Sequence, residues 1–276
     1  MYTLVYTSDA GSVEFSINSG FVIEEFDAFG GLNTEFATSI GSKKHGVKVE
    51  DQKVLPKTIT ITGTILGDAR EKKKTLVHVL APMMKGTLQY NGQYSLVCYP
   101  KSSPVVESKN LNPRFSFMLY IPMPYWQNIA ESTVGLLSYG STFQFPWDWG
   151  STFSFSGVSG EIANAINKGD APCAWTLDVY AMGDVVNPKL TKTKTGEFVQ
   201  VNITLTEGQR LVVSTAQDEM MVTLVDVDET ETDVFSYLDI DSSSFMLDVG
   251  DNPLSFEPAD SSVSASVSFF ENYAGV

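Results

Sequence analysis

The stretch Thr58-Ile-Thr-Ile-Thr-Gly-Thr-Ile-Leu66 decides the fold class of the first half of this chain. Threonine and isoleucine alternate along it, and both residue types favour β-strands. Because successive side chains of a strand point to opposite faces of a sheet, the alternation predicts one dry face and one wet face. The stretch therefore predicts a sheet that packs one side against a core.

A helix is predicted directly after this strand, where the apolar period changes. Asp68 and Glu71 have the spacing of a capping box, and Pro82 should end the helix near Leu80 or Ala81. Apolar residues follow the cap at helical spacing: Leu76, Val77, Leu80 and Met84. This is the one helix that the sequence predicts.

Turn signals divide the rest of the first half into short strands. Asn18-Ser-Gly20 predicts a hairpin turn between the segments that end at Ile17 and begin at Phe21. The polar and basic stretch Gly41–Gly46 is predicted to be an exposed loop. Further strands are predicted around a turn at Asn91-Gly92 and before the proline-rich junction: Leu88–Tyr90, Tyr94–Tyr99 and Phe115–Ile121.

The second half contains strand after strand, with turn residues between them. Glu131–Phe143, rich in serine and glycine, predicts a linker or a loose entry into a second domain. Strands at a spacing of roughly 8–12 residues indicate an antiparallel sandwich or barrel. The predicted strands are Trp175–Tyr180, Phe198–Leu205, Gln209–Ser214, Met220–Val227 and Ser264–Phe270. The fold class is therefore mainly β, with two domains of residues 1–130 and 131–276.

Charge also divides the chain, at Pro122–Trp126. Up to Gln127 there are 13 lysines and arginines against 11 acidic residues, a difference of +2. From Asn128 onward there are 5 against 22, a difference of −17, and the two differences sum to the net charge of −15. An acidic outer surface disfavours binding of double-stranded nucleic acid, because phosphates require clustered lysine and arginine. It would suit a lumen through which a polyanion slides.

The sequence predicts neither secretion nor membrane insertion. Met1–Tyr6 lacks the basic and apolar regions of a signal peptide, and no stretch reaches the roughly 18 apolar residues that span a bilayer. Cys98 and Cys173 lie singly in apolar segments of different halves. They are expected to be buried, reduced thiols of a protein made in a cytoplasm.

Patterns for catalysis and metal binding are weak. His45 and His78 are the two histidines, and neither has a cysteine or a second histidine at zinc-ligand spacing. Gly157 stands two residues before Ser159, but Glu161 stands where the second glycine of a nucleophile elbow is required. Paired carboxylates of a hydrolase stay open as a hypothesis, since any two acids can meet in a fold. The sequence predicts no enzyme, no metal site and no cofactor.

The acidic segment Asp226–Asp233 raises a calcium hypothesis. When the segment is aligned with an EF-hand loop, Glu231 stands where glycine is needed, and Tyr237 stands where a bidentate glutamate is needed. A solvated hairpin between two strands is the better interpretation.

Six aromatic residues alternate over a short stretch of the second half: Phe143, Phe145, Trp147, Trp149, Phe153 and Phe155. One hypothesis is a glycan-stacking or partner surface centred on Trp147 and Trp149. The other is the buried face of an edge strand, which the alternation favours.

The order of these elements resembles the distal tail proteins of siphophages, the Dit family from viruses of Gram-positive bacteria. In the first half the similarity comprises Ile59–Gly67, the helix that ends in Leu80-Ala-Pro82, and three later segments. These are Gly86–Tyr90, Tyr94–Tyr99 and Phe115–Ile121, followed by Pro124-Tyr-Trp126.

Short motifs extend the resemblance to the second half. Asn167-Lys-Gly-Asp170 with Pro172 is similar to the "N-x-G-D" entry of the family's second domain. Phe245–Asn252 contains the "L-x-x-G-x-N" pattern, and Phe269–Val276 contains "Y-x-G-V". Pro253 and the expanded Asp226–Asp233 segment depart from the pattern.

The resemblance implies a hexameric ring at the distal end of the tail tube. Amino-terminal domains would form a belt around a channel, and carboxy-terminal, galectin-like β-sandwiches would lie outside. The implied partners are the chain itself, the major tail protein, a tail-associated baseplate protein and a receptor-binding protein, with DNA only as passing cargo. The implied location is the tail tip of the virion, after synthesis in the host cytoplasm.

A ring subunit needs edge strands, loops and charged rims more than a deep pocket. Candidate ring or tail-tube contacts are therefore the basic loop and helix residues Lys43, Lys44, His45, Arg70, Lys73 and Lys74. Ordinary solvated surface explains each position equally well. The alternative function is a carbohydrate-binding module that recognises host cell-wall polysaccharide through Trp147 and Trp149.

Overall fold

A computed structural model describes residues 3–27, 29–41, 45–107, 111–137, 162–216, 221–258 and 263–276. Contacts divide the chain into two compact units, residues 1–130 with 272–276 and residues 131–271. The described residues are mainly β with one α-helix, which confirms the predicted fold class. None of the helices in these ranges is long and apolar enough to cross a membrane.

The secondary-structure elements are as follows, in chain order. The first are β1 (Leu4–Ser8), β2 (Gly11–Phe15), β3 (Phe21–Phe26), β4 (Thr34–Ser39), β5 (Lys48–Val54), β6 (Lys57–Ile65), α1 (Ala69–Val79), β7 (Gly86–Tyr90), β8 (Tyr94–Pro100), β9 (Val105–Val106), β10 (Arg114–Ile121) and β11 (Trp126–Asn128). The rest are β12 (Ser132–Gly135), β13 (Ala163–Asn167), β14 (Trp175–Ala181), β15 (Val185–Val186), β16 (Lys189–Lys192), β17 (Phe198–Gln200), β18 (Thr204–Leu205), β19 (Arg210–Ser214), β20 (Met221–Val225), β21 (Glu231–Asp233), a 3₁₀ turn (Phe235–Tyr237), β22 (Gly250–Glu257), β23 (Val263–Phe269) and β24 (Asn272–Tyr273).

The main sheet of the first unit curls around its core. Its strands follow the order β2-β1-β7-β8-β10-β6-β3, so the two ends of the path are neighbours in sequence. The rings of Phe15 on β2 and Phe21 on β3 lie 5.8 Å apart between centroids, and Phe15 also lies 5.6 Å from Phe117 on β10. The alternating stretch 58–66 forms most of β6, and only Leu66 lies beyond the end of the strand. Ile59, Ile61 and Ile65 are fully buried.

Two predicted turns of this unit have different outcomes. Asn91 and Gly92 both have positive φ between β7 and β8, as the predicted turn requires. The Asn18–Gly20 turn is also present, but the predicted hairpin is wrong. β2 forms a hairpin with β1, and β3 pairs with β6, so the strands that flank the turn stand at opposite ends of the sheet order.

Helix α1 begins and ends as predicted. The Asp68 carboxylate accepts hydrogen bonds from the backbone N–H groups of Arg70 and Glu71, and Leu80 is the C-cap. Glu71 does not complete a capping box, since its carboxylate pairs with Lys74 at 2.8 Å. Val79, not the predicted Val77, faces the core with Leu76.

The chain returns to the first unit at its last strand. Trp126 and Gln127 of β11 pair with Tyr273 and Asn272 of β24, and the Tyr273 ring lies 5.5 Å from the ring of Tyr94. The predicted second domain ran to residue 276, whereas the contacts group residues 272–276 with the first unit because of this pairing.

The second unit is an antiparallel β-sandwich. A six-stranded sheet has the order β12-β23-β14-β19-β20-β21, and a four-stranded sheet has the order β13-β22-β16-β17. Inward side chains from both sheets form one continuous core, for example Leu177 and Val213 with Leu190 and Phe256. This arrangement agrees with the predicted sandwich.

Several predicted boundaries in the second unit change. Glu131–Phe143 was predicted as a linker or a loose entry into the second domain, but Ser132–Gly135 is an edge strand paired with β23, and residues 138–143 lie outside the described residues. Phe198–Leu205 was predicted as one strand and instead forms β17 and β18, with Val201 bridging to Leu238 between them. The Asp226–Asp233 segment is a hairpin between β20 and β21, as predicted.

Candidate assembly surface

The most exposed element of the first unit is the hairpin of β4 and β5. The two strands pair from Thr34 with Val54 to Ser39 with Lys48, and Glu50 is an extra residue at a bulge. They form a two-stranded sheet of their own, and within the described ranges no third strand joins it. All of its strand residues are exposed except the half-buried Val54.

One face of this hairpin is charged, and most of its charged side chains pair with one another. Lys53 pairs with Glu35 at 2.9 Å, and Lys48 pairs with Glu50 at 2.8 Å. The Ser39 hydroxyl also donates to Glu50 at 2.6 Å. The bonds from Lys48 and then Ser39 lower the pKa of Glu50. Four charged side chains of the hairpin are therefore paired with one another.

The opposite face is exposed and carries the apolar side chains of the hairpin, beside Thr34, Thr38 and Gln52. Phe36 and Val49 lie on it, and Ile40 and Val47 continue the alternation toward the tip; the four residues are 54%, 50%, 78% and 56% exposed respectively. A two-stranded ribbon is only marginally stable in water on its own. Exposed apolar residues grouped on one face are typical of a surface that a partner covers. We call Phe36, Ile40, Val47 and Val49 the apolar hairpin face.

The predicted contact residues fall on two elements. His45 is exposed in the connection between β4 and β5, whereas Lys43 and Lys44 lie outside the described residues. Arg70, Lys73 and Lys74 are exposed on α1, and Lys74 is paired with Glu71. The structure thus brings the three helix residues together and places His45 on the hairpin.

Lys72, which the sequence did not single out, has a structural role beside them. Its Nζ donates to the carbonyl of Leu66 at 2.6 Å and lies 5.8 Å from the centre of the Phe21 ring. The basic face of α1 available to a partner is therefore Arg70 and Lys73, with Lys74 partly engaged. Trp147 and Trp149, the predicted glycan or partner surface, lie outside the described residues.

The motif asparagines of the second unit are buried structural residues. Asn167 donates to the carbonyls of Ala171 and Leu247 at 3.0 and 3.1 Å, and it accepts from the N–H of Gly169 at 2.9 Å. A fully used amide in a buried position fixes the loops that it touches.

Asn252 does the same for the neighbouring turn. It accepts from the N–H of Asp248 at 2.8 Å and donates to the carbonyls of Asp248, Gly250 and Ala165 at 2.7, 3.0 and 3.2 Å. The "N-x-G-D" and "L-x-x-G-x-N" patterns therefore encode loop geometry.

A buried lysine and a buried tryptophan hold the adjoining segment. The Lys192 side chain is 3% exposed, and its ammonium bonds to Asp248 at 2.7 Å and to the carbonyl of Met246 at 2.8 Å. The indole N–H of Trp175 donates to the carbonyl of Phe245 at 2.8 Å. In the part of the chain that the structure describes, no group of three or more His, Cys, Asp or Glu could hold a metal ion.

Residues 168–273 match the family model described as "Siphovirus-type tail component, C-terminal domain". The match covers most of the second unit, and we call residues 168–273 the tail component domain after the model that they match. The predicted resemblance to distal tail proteins is thereby confirmed. No curated protein is significantly similar to the chain in sequence.

Solved structures extend the similarity of fold to both units. The Dit protein of phage SPP1, described as "a Paradigm of Hub Adsorption Apparatus in Gram-positive Infecting Phages", superposes with a TM-score of 0.67 at 11% identity, over 98% of each chain. A chain of the phage P2 baseplate "in its Activated Conformation with Ca" gives a TM-score of 0.60 at 11% identity, over 100% of this chain and 99% of that one. At these identities the likeness concerns the fold.

The sequence signals of the tail component domain are clearer than those of the apolar hairpin face. The domain contains the turn pattern around Asn252, and the pattern at Asn167 directly precedes it. The hairpin carries only the alternation of Phe36, Thr38 and Ile40, and of Val47 and Val49, among charged residues. That alternation is the signal from which both strands could have been predicted.

Proposed function

We propose that this chain is a structural subunit of a phage tail that assembles into a hexameric ring at the distal end of the tail tube. The apolar hairpin face carries the proposal, because an exposed apolar ribbon is unfavourable in an isolated monomer and favourable in an assembly. The tail component domain and the fold shared with SPP1 Dit support the same conclusion. The ring would act as a hub by position, without catalysis.

The proposed neighbours follow from that position. The first unit would contact other copies of this chain and the major tail protein, through the hairpin and through Arg70 and Lys73. A baseplate protein and a receptor-binding protein would attach on the other side. DNA would pass through the central channel without specific contacts, and the protein would reside in the virion after synthesis in the host cytoplasm.

Light scattering coupled to size exclusion, together with negative-stain electron microscopy, tests the proposal on the full chain. Rings with a central hole are expected at high protein concentration. Phe36→Thr combined with Val49→Thr should shift the mass toward monomer, because the substitutions keep strand propensity and remove the apolar contact.

Ile240→Thr is the matched control. Ile240 is 96% exposed in the second unit, so it removes a similar apolar group from a different surface. The control should leave the rings intact. A wild-type chain that stays monomeric at every concentration, or rings that survive the double hairpin substitution, would contradict the proposed role of the hairpin.

A further inference from the structure

Four outward side chains of the second unit form a compact group at the edge strand β17. The bridge between Val201 and Leu238 sets Gln200 opposite Asp239 and Asn202 opposite Tyr237. Backbone bonds of 2.9 Å from Asp239 to Gln200 and of 2.8 Å from Asn202 to Tyr237 fix this register. Because Val201 is buried and Leu238 packs on the core, their neighbours point outward. We call Gln200, Asn202, Tyr237 and Asp239 the polar tile.

Hydrogen bonds hold the polar side chains of the tile in place. The Gln200 amide donates to the Asn202 carbonyl at 2.8 Å, and the Asn202 amide donates to Asp239 Oδ2 at 3.0 Å. Asp239 Oδ1 accepts from the N–H of Asp241 at 3.0 Å. The Asn202 bond and then the Asp241 bond lower the pKa of Asp239. An ordered, ionised carboxylate therefore lies beside two amides, and each group keeps further bonding capacity toward solvent.

Aromatic rings lie next to these polar groups. Tyr237 is itself part of the tile and is 53% exposed. Phe198 is the preceding outward residue on β17, and the Lys189 ammonium lies 4.2 Å from the centre of its ring. The end of β17 and the segment that follows the 3₁₀ turn thus combine an exposed phenol ring, two amides and a carboxylate around the bridge between Val201 and Leu238.

We propose that the polar tile binds a neutral pyranoside sugar. An exposed aromatic ring can cover the C–H face of a pyranose, while amides and a carboxylate bind its hydroxyls. The Asp239 carboxylate within the tile disfavours an anionic sugar. This binding goes beyond the structural role proposed above and does not depend on ring formation.

Amide NMR of the second unit within the full chain, titrated with methyl glycosides of glucose, galactose, rhamnose and N-acetylglucosamine, tests the site directly. At least one neutral glycoside should shift the backbone amides of residues 200, 202, 237 and 239. A methyl glucuronide should bind at least about tenfold more weakly, a difference of about 1.4 kcal/mol. Absence of shifts with all four neutral probes would overturn the proposal, and so would equal binding of the glucuronide.

Substitutions test whether sugar binding depends on the polar tile or on the surface around it. Asn202→Ala and Tyr237→Ala should each weaken the binding of the active glycoside at least about tenfold. Phe235→Ala is the matched control, since Phe235 is an exposed aromatic residue of the same 3₁₀ turn outside the tile. It should leave binding within about twofold of the wild-type value. Loss of binding in the control alone, or unchanged binding in both tile variants, would show that the tile is not the site.

Discussion

The side chain of Tyr6 fills the space that a side chain at Gly86 would need. Tyr6 lies on β1 and Gly86 on the neighbouring β7, and a β-carbon at Gly86 would overlap the Tyr6 hydroxyl and ring. The Tyr6 hydroxyl is buried and has no hydrogen-bond partner among the residues that the structure describes. Burial, followed by the neighbouring Cys98, raises the pKa of Tyr6. The two residues therefore make a close contact that includes an unsatisfied polar group.

Tyr6→Phe should stabilise the first unit. Removing a buried hydroxyl that makes no hydrogen bond abolishes a desolvation cost, so the free energy of unfolding should rise by about 1 kcal/mol. Urea denaturation followed by tryptophan fluorescence measures the change. A loss of stability in this variant would show that the hydroxyl has a bonding partner in solution.

Gly86→Ala should have the opposite effect. Its added methyl group would force the buried Tyr6 ring or strand β7 to move, and overpacking of this kind costs about 1–3 kcal/mol. The same urea experiment applies, with Gly135→Ala as control, because a β-carbon at Gly135 would meet open space. Equal effects at both glycines would point to strand propensity and not to the Tyr6 contact.

Asn252→Ala should destabilise the second unit. The variant loses four hydrogen bonds and leaves buried backbone groups unsatisfied, so we expect a loss of about 3 kcal/mol. Asn164→Ala is the control, since that exposed amide makes one bond of 2.7 Å, to Asp251. A small effect at Asn252, comparable with that at Asn164, would contradict the structural role of the motif asparagine.

The two cysteines should be unreactive in the folded protein and should lower its stability at high pH. Burial raises the pKa of Cys98 to about 12, and burial followed by Glu271 raises the pKa of Cys173 to about 12. A thiol reagent at neutral pH should therefore modify neither residue until urea unfolds the chain.

The sign of the pH dependence follows from these raised values. Above the ordinary thiol pKa of 9.0, the unfolded chain releases protons that the folded chain retains up to about 12, so stability falls as pH rises through this window. Urea midpoints compared between about pH 8 and about pH 10 should show a smaller decrease in Cys98→Ala combined with Cys173→Ala than in the wild type. An identical decrease in both proteins would assign it to other groups.

Reversal of charge on α1 should weaken assembly in a salt-dependent way. Arg70→Glu combined with Lys73→Glu removes the unpaired basic groups of the helix face, so ring formation or binding to tail tubes should decrease most at low ionic strength. Lys57→Gln is a control from the same unit, because Lys57 bonds to the Gly30 carbonyl instead of extending into solvent. Sedimentation at two salt concentrations measures the effect, and a salt-independent result would contradict an electrostatic contact.

Local signals in the sequence predicted much of the fold. Asp68 and Pro82 bracket α1 because capping and helix termination depend on nearby backbone groups. The Asn91-Gly92 turn follows from the positive φ that these residues tolerate. Strands such as β14 and β19 follow from alternation, since one face of each is buried in the sandwich.

The same local signals could not predict which strands pair with one another in the sheet. Phe15 and Phe21 flank a good turn, yet their strands pair with β1 and β6 because the sheet curls. Strands β4 and β5 lack a buried face in the described structure, so burial does not impose a clear alternation of apolar and polar residues on their sequences. The candidate contact residues Arg70 and Lys73 stay predictions, since charge alone does not identify a partner.

The pairing of β11 with β24 has a consequence for biogenesis. Residues 131–271 separate the two strands in sequence, so a ribosome must translate the entire sandwich before Trp126 and Gln127 can meet their partners. Strand β11 of the first unit therefore lacks this partner until the second unit has been translated. The part of the protein that is translated first is the last to be completed.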